Sequence, residues 1–105
     1  MSGRTIAIGD IHGCSLALAE LLRTIGPQAD DTIIALGDYI DRGPDSRGVV
    51  DRLLALAKEC RLVPLLGNHE IMLLDALDRE LLDSGWLLCG GQETLASYGG
   101  RLEYI

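Results

Sequence analysis

Phenylalanine is absent from this 105-residue chain, and one tryptophan and three tyrosines leave it only 4% aromatic. Its core must therefore be built from leucine, isoleucine, valine and alanine. No apolar run approaches the roughly 20 residues that a membrane-spanning helix needs, so we expect no membrane partner. The 48% hydrophobic and 24% charged residues are typical of a globular domain and exclude a disordered chain.

Basic residues are also scarce. Lys58 is the only lysine, and nine basic residues face sixteen acidic ones, which gives a net charge of -7 and a pI near 4.6. Binding of nucleic acid by bulk charge requires clustered lysine and arginine. The composition therefore excludes that class of partner.

The chain has too few cysteines for a disulfide framework. Cys14, Cys60 and Cys89 are odd in number, far apart in sequence and include no CxxC pair. This pattern excludes a disulfide scaffold and a cysteine-based zinc site. It predicts a protein of the reducing cytoplasm.

Short apolar runs alternate with segments of helical periodicity. Strands are predicted at 5–8, 32–36 and 62–66, and helices at 15–25, 44–60, 70–82 and 93–98. Ser15 is expected to be the N-cap of the first helix, and Pro64 favours an edge position for the third strand. The order β-α-β-α-β-α predicts an α/β fold with parallel strands and right-handed crossovers.

Each predicted strand stops at a glycine that opens a polar loop. The loops read GDIHG at 9–13, GDYIDRG at 37–43 and GNHE at 67–70. The carboxyl ends of parallel strands lie at one edge of the sheet, where α/β proteins bind their ligands. Both histidines of the chain should therefore meet several carboxylates, an amide and an arginine there.

The first two loops offer metal ligands. Asp10 and His12 are two residues apart in an extended segment, so their side chains share one side and suit a first-row metal. Asp38 has the same position after the second strand, and two neighbouring carboxylates repel each other unless a cation lies between them. The alternative is that Asp10 caps a turn and His12 is a surface residue.

The remaining polar residues suit phosphate chemistry. Arg42 could reach a phosphate with its planar guanidinium, and His69 is the best candidate for protonating a leaving group, with Asp41 holding the imidazolium. Asn68 offers a neutral oxygen to a second metal. The alternatives are a surface ion pair of Asp41 with Arg42, and a helix N-cap at Asn68. We prefer the metal site because the polar groups appear only after strands and always after glycine.

The three loops resemble the opening motifs of the calcineurin-like metallophosphoesterases, specifically the phosphoprotein phosphatase branch. The stretches GNHEIMLLDAL and GGQETLASYGG, with Trp86 between them, are most similar to bacterial serine/threonine protein phosphatases. The resemblance extends over essentially the whole chain. We expect Trp86 to be a packing residue.

The resemblance implies a dinuclear centre of divalent ions, with Mn favoured and Fe or Zn as alternatives. Its implied ligands are Asp10 and His12 for the first ion, Asn68 for the second, and Asp38 as the bridge between them. A water or hydroxide that bridges the two ions would attack the phosphorus.

The resemblance further implies that His69 is the general acid, with Asp41 as its orienting partner, and that Arg42 holds the phosphate. The family's later half supplies two more histidine ligands, whereas no histidine follows His69 here. We therefore expect residues 1–105 to be the incomplete N-terminal part of the domain, the first half of an α/β/β/α sandwich. Its uncovered sheet would favour self-association.

These expectations converge on hydrolysis of phosphate monoesters, in a phosphorylated protein or a small phosphate ester. One alternative is a symmetrical bis(nucleosyl)-tetraphosphatase, although that branch typically lacks an acid at the position of Asp41 and tends to have aspartate at that of Glu70. The other alternative is a catalytically inactive, truncated metal-binding module.

Overall fold

The computed structural model describes residues 3–78 and 85–100, which form an α/β unit. Its elements are β1 (Thr5–Ile8), α1 (Ser15–Ile25), β2 (Thr32–Ala35), α2 (Ser46–Leu56), β3 (Arg61–Pro64), α3 (Asn68–Asp78), a 3-10 turn (Leu87–Cys89) and α4 (Gly91–Ser97). The predicted fold class is confirmed. Helix α3 begins two residues earlier than the sequence predicts, and its predicted end near residue 82 lies outside the described residues.

The three strands form one parallel sheet in the order β1-β2-β3. Thr32 of β2 aligns with Thr5 of β1 on one side and with Arg61 of β3 on the other. Pro64 closes β3 at an edge of the described sheet, where its missing N–H costs no ladder hydrogen bond. Because all three strands run the same way, the loops that follow them leave from one edge.

One face of the sheet is packed and the other is only partly covered. Aliphatic side chains of the sheet and of α1 and α2 form the buried cluster, which includes Ile8, Leu18, Ile33, Val49 and Leu53. On the opposite face Ala7 is exposed, and Ile34 and Val63 are half-buried. At about 25 cal/mol per Å² of apolar area, burial on the packed face provides the main stabilisation of the unit.

The prediction that Ser15 caps α1 is wrong. The helix begins at Ser15 itself, its N-cap is Cys14, and no side-chain cap bond is formed there. The Ser15 hydroxyl is buried inside the first turn, where it accepts a 2.9 Å hydrogen bond from Arg52 Nε and so links α1 to α2. Helix α2, in contrast, is capped by Asp45, whose carboxylate accepts from the Gly48 N–H at 2.9 Å.

None of the helices within residues 3–78 and 85–100 has the length and apolar character needed to cross a membrane.

Candidate metal and phosphate site

The loops that follow β1 and β2 are joined by backbone hydrogen bonds. The carbonyl oxygen of Asp38 accepts from the His12 N–H at 2.9 Å, and that of Tyr39 accepts from the Gly13 N–H at 2.8 Å. These bonds fix the first loop against the second in the way that a strand ladder would. Side chains from both loops are therefore held at fixed distances from one another.

Asp10, His12 and Asp38 form the one metal-competent group of three acidic, histidine or cysteine side chains found in residues 3–78 and 85–100. One ligand atom from each lies within 4.8 Å of the other two. His12 Nδ1 is 2.9 Å from the carbonyl oxygen of Ile40, which can only accept, so Nδ1 carries the hydrogen. The Nε2 lone pair, 3.9 Å from Asp10 Oδ2, is thereby left for a metal, as in most histidine ligands.

Four residues of the site have a left-handed backbone conformation. Within the described ranges, every non-glycine residue with positive φ is a predicted site residue: His12 (43°), Asp38 (55°), Asp41 (75°) and Arg42 (71°). Aspartate and histidine enter this region more readily than other side chains, whereas arginine seldom does, and residues in such conformations concentrate at functional sites. The surrounding hydrogen bonds hold the four residues in these conformations.

Glu70 shapes the second loop from the start of α3. Its two carboxylate oxygens accept hydrogen bonds from the backbone N–H groups of Asp38 (2.6 Å), Tyr39 (2.9 Å) and Gly67 (2.9 Å). In return, Asp38 Oδ1 accepts from the His69 N–H at 2.9 Å. The sequence analysis used Glu70 only to distinguish between branches and missed this structural role.

Tyr39 ties the ends of β2 and β3 together beneath the loops. Its hydroxyl lies 2.9 Å from the Ala35 carbonyl oxygen and 2.6 Å from that of Leu65. Burial, and then the nearby negative charge of Glu70, raise the pKa of Tyr39 above its ordinary value. The phenol therefore keeps its proton and remains a hydrogen-bond donor.

Asp41 and His69 form a buried pair. Asp41 Oδ2 is 2.8 Å from His69 Nδ1, and the two residues are 0% and 7% exposed. A surface ion pair of Asp41 with Arg42 is therefore excluded as an explanation of the second loop. Because an ionised carboxylate only accepts, Nδ1 carries a proton, and Nε2 is the nitrogen that can exchange one.

Arg42 and Asn68 are exposed beside this pair. The Arg42 N–H donates to the Gly90 carbonyl at 3.1 Å. The Arg42 side chain lines a surface cavity of about 500 Å³ with the residues of the 3-10 turn. Asn68 is the first residue of α3, directly before His69. Both positions are open to a ligand at the carboxyl edge of the sheet.

The sequence analysis missed three residues that surround Asp41. Trp86 is completely buried, as expected for a packing residue, but its Nε1–H also donates to Asp41 Oδ2 at 2.8 Å. The hydroxyls of Thr94 and Ser46 accept from the Asp41 N–H at 2.8 and 3.1 Å. From the sequence one could expect only that a buried indole N–H needs a hydrogen-bond acceptor. The sequence does not indicate that this acceptor is Asp41.

Comparison with known proteins agrees with this geometry. The family model described as calcineurin-like phosphoesterase matches residues 3–104. A serine/threonine-protein phosphatase 1 of Salmonella typhimurium (strain LT2) is 44% identical over 86 residues, which are 80% of this chain and 37% of that protein.

Two further similar proteins are named as tetraphosphatases and not as protein phosphatases. A symmetrical bis(nucleosyl)-tetraphosphatase of Acidovorax sp. (strain JS42) is 47% identical over 70 residues, 66% of this chain and 24% of that protein. A crystal structure described as that of a candidate diadenosine tetraphosphatase superimposes with a TM-score of 0.62 at 34% identity, covering 83% of this chain and 41% of the other. This chain therefore spans less than half the length of each of these relatives. Because the family model matches nearly every residue, this chain belongs to the calcineurin-like phosphoesterase family.

Proposed function

We propose that this chain supplies the metal-binding and proton-donating residues for hydrolysis of phosphate monoesters, with phosphoserine or phosphothreonine of a protein, or a small phosphate ester, as substrate. The observation that carries the proposal is the buried pair of Asp41 and His69 beside the group of Asp10, His12 and Asp38. The candidate metal ligands and the candidate acid therefore lie at the same edge of the sheet.

The residues present fit a metal. Family members use a dinuclear metal centre. Asp10, His12 and Asp38 offer two carboxylates and an imidazole whose Nε2 is free, a donor set that Mn, Fe and Zn all accept. Asn68 would add a neutral oxygen for a second ion, with Asp38 shared between the two. Bound divalent ions supply charge neutralisation at the phosphoryl oxygens and a more acidic water.

Arg42 and His69 would act on different parts of the substrate. Arg42, exposed on a left-handed backbone turn, would bind the phosphoryl oxygens through its guanidinium. His69 would donate the proton on Nε2 to the oxygen that leaves, because Nδ1 is occupied by Asp41. Asp41, completely buried, would orient the ring and stabilise its positive charge.

The acid pair favours an alkyl phosphate as substrate. Serine and threonine leave phosphate as alkoxides, which are poor leaving groups and need a proton in the transition state. Cleavage of a dinucleotide tetraphosphate releases a nucleotide phosphate, which leaves as a stable anion without that proton. A buried Asp–His pair is therefore useful for the first reaction and dispensable for the second.

Symmetrical cleavage of bis(nucleosyl) tetraphosphates is the second candidate, because relatives with that name match this chain at 47% identity. The matched solved structure points the same way. The third possibility is a metal-binding module without activity. In all three cases Asp10, His12 and Asp38 would bind metal, so the substrate has to be tested directly.

Hydrolysis assays of the chain with Mn²⁺ separate these functions. Release of phosphate from a phosphoserine peptide, lost in Asp38→Asn, is the result we expect. Faster production of ADP from diadenosine tetraphosphate than of phosphate from the peptide would favour the second candidate. Mn²⁺ binding with neither product would support the inactive module.

A second copy of the chain is the partner we propose for the less covered sheet face. Ala7 on that face is exposed, and exposed Leu65 and Leu66 extend apolar surface beyond β3. Sedimentation should show association that increases with concentration, and a monomer at every concentration would contradict it.

The three free cysteines are consistent with the reducing cytoplasm that we propose as the location.

A further inference from the structure

We propose that Trp86 and Thr94 are positioning residues that hold the Asp41 carboxylate against His69 Nδ1 and so fix the orientation of the His69 ring. This inference rests on the proposed function for its meaning in catalysis. The contacts that carry it are hydrogen bonds within the described residues, and they involve a segment far from the three loops in sequence.

The directions of the hydrogen bonds follow from the chemistry of the groups. An ionised carboxylate only accepts, so the Thr94 hydroxyl must donate to Asp41 Oδ1, 2.6 Å away. The Thr94 oxygen then accepts from the Asp41 N–H at 2.8 Å and from the Ser46 hydroxyl at 2.9 Å. One threonine thus contacts both the backbone and the carboxylate of Asp41.

Trp86 acts on the other carboxylate oxygen. Its Nε1–H donates to Asp41 Oδ2 at 2.8 Å, and His69 Nδ1 lies 2.8 Å from the same oxygen. Because Thr94 donates to Oδ1 and Trp86 donates to Oδ2, the carboxylate cannot rotate away from His69. Trp86 and Asp41 are both 0% exposed, so water does not replace a lost donor without rearrangement.

A carboxylate that cannot turn also holds the His69 ring in one orientation. As long as Asp41 Oδ2 stays in place, the N–H on Nδ1 has a buried acceptor, both in the neutral ring and in the imidazolium that would donate from Nε2. Loss of the indole or hydroxyl donor lets the carboxylate turn. The N–H on Nδ1 then loses its fixed acceptor, and Nε2 is no longer held in one orientation.

Three variants and a control separate positioning from packing. Trp86→Phe removes the indole N–H but keeps a buried ring, and Thr94→Val removes the hydroxyl but keeps the branched shape. Thr94→Ser restores a hydroxyl and is the conservative rescue. Tyr98→Phe is the matched control, because Tyr98 is also a buried aromatic residue next to Thr94 and, within residues 3–78 and 85–100, forms no hydrogen bond with Asp41.

The direct readout is the hydrogen bond from His69 Nδ1–H to Asp41, measured as the solvent-protected Nδ1–H signal in 1H–15N NMR of the imidazole ring. We expect a protected Nδ1–H signal in the wild type, Thr94→Ser and Tyr98→Phe, and its weakening or loss in Trp86→Phe and Thr94→Val. An unchanged His69 spectrum in both of the latter variants, with the fold retained, overturns the inference. A single affected variant assigns positioning to that residue alone and overturns it for the other.

Kinetics add a second readout if the wild type hydrolyses phosphoserine. In Trp86→Phe and Thr94→Val, kcat should fall about 10- to 100-fold with KM little changed, as is usual for outer residues that orient a site. An inactive wild type contradicts the proposed function, while the NMR measurement still decides the positioning role. The two failures are therefore distinguishable.

Discussion

The carboxylate of Glu70 accepts a 2.6 Å hydrogen bond from the backbone N–H of Asp38, across 32 positions of sequence. Through this contact the start of α3 determines the conformation of the loop after β2. The same carboxylate also accepts from the N–H groups of Tyr39 and Gly67. An acceptor-only side chain thus satisfies three donors at the point where two strand ends approach the metal-competent group.

Replacing Glu70 with glutamine should weaken the hydrogen bonds between the start of α3 and the loop after β2. The amide NH₂ of Glu70→Gln would face at least one backbone donor, so we expect the free energy of unfolding to fall by about 1–3 kcal/mol. Glu59→Gln, at an exposed glutamate, is the matched control and should leave stability unchanged. Denaturant unfolding of the three proteins measures the effect, and equal midpoints would contradict the role of Glu70.

Gly37 is required by the close approach of the second and third loops. It has φ of 105°, and a Cβ there would lie 2.6 Å from the Gly67 nitrogen. Gly37→Ala should therefore destabilise by more than about 1 kcal/mol. Gly9→Ala is the matched control, because nothing lies within 4 Å of a Cβ at Gly9 and its φ is not positive. Similar thermal midpoints for the two variants would disprove the steric explanation.

Asp31 should contribute to stability in a pH-dependent way. Its carboxylate accepts from Arg4 Nη2 at 2.7 Å, from the Arg4 N–H at 2.8 Å and from the Gln28 N–H at 2.9 Å. The side-chain hydrogen bond of Arg4, followed by these backbone donors, holds the pKa of Asp31 well below its usual range.

Because the folded-state pKa is lowered, this stabilisation is fully present above the unfolded pKa of about 3.9 and is lost as the pH falls toward the folded value. Asp31→Asn should be clearly less stable than the wild type near neutral pH, and the difference should shrink below about pH 4. Asp30→Asn, at the exposed neighbour, controls for net charge. A stability difference that does not change with pH would contradict this assignment.

Metal binding should depend on Asp38 most strongly, because Asp38 would contact both ions. We expect Asp38→Asn to weaken Mn²⁺ binding, measured by titration calorimetry, more than Asp10→Asn does. Asp51→Asn removes the same charge from an exposed position of α2 and should bind like the wild type. Equal affinity in the wild type and in Asp38→Asn would eliminate the bridging role.

Much of the site could be anticipated from the sequence. Alternating strands and helices give the parallel order, and parallel strands bring Asp10, Asp38 and His69 to one edge. Local pattern could not reveal that Trp86 and Thr94 contact Asp41, since those contacts join positions 45 and 53 residues apart. Ser15 was assigned to the wrong role because capping depends on where the first helical turn begins.

The measurement that tests the account most directly is kcat of the wild type and of His69→Asn on two substrates, a phosphoserine peptide and p-nitrophenyl phosphate. An aryl phosphate leaves as a stabilised phenolate and hardly needs the proton from His69. We predict a loss of about 10²–10⁴ in kcat on phosphoserine and a much smaller loss on the aryl ester. An equal loss on the two substrates would contradict the role of His69 as general acid and, with it, the function assigned to its pairing with Asp41.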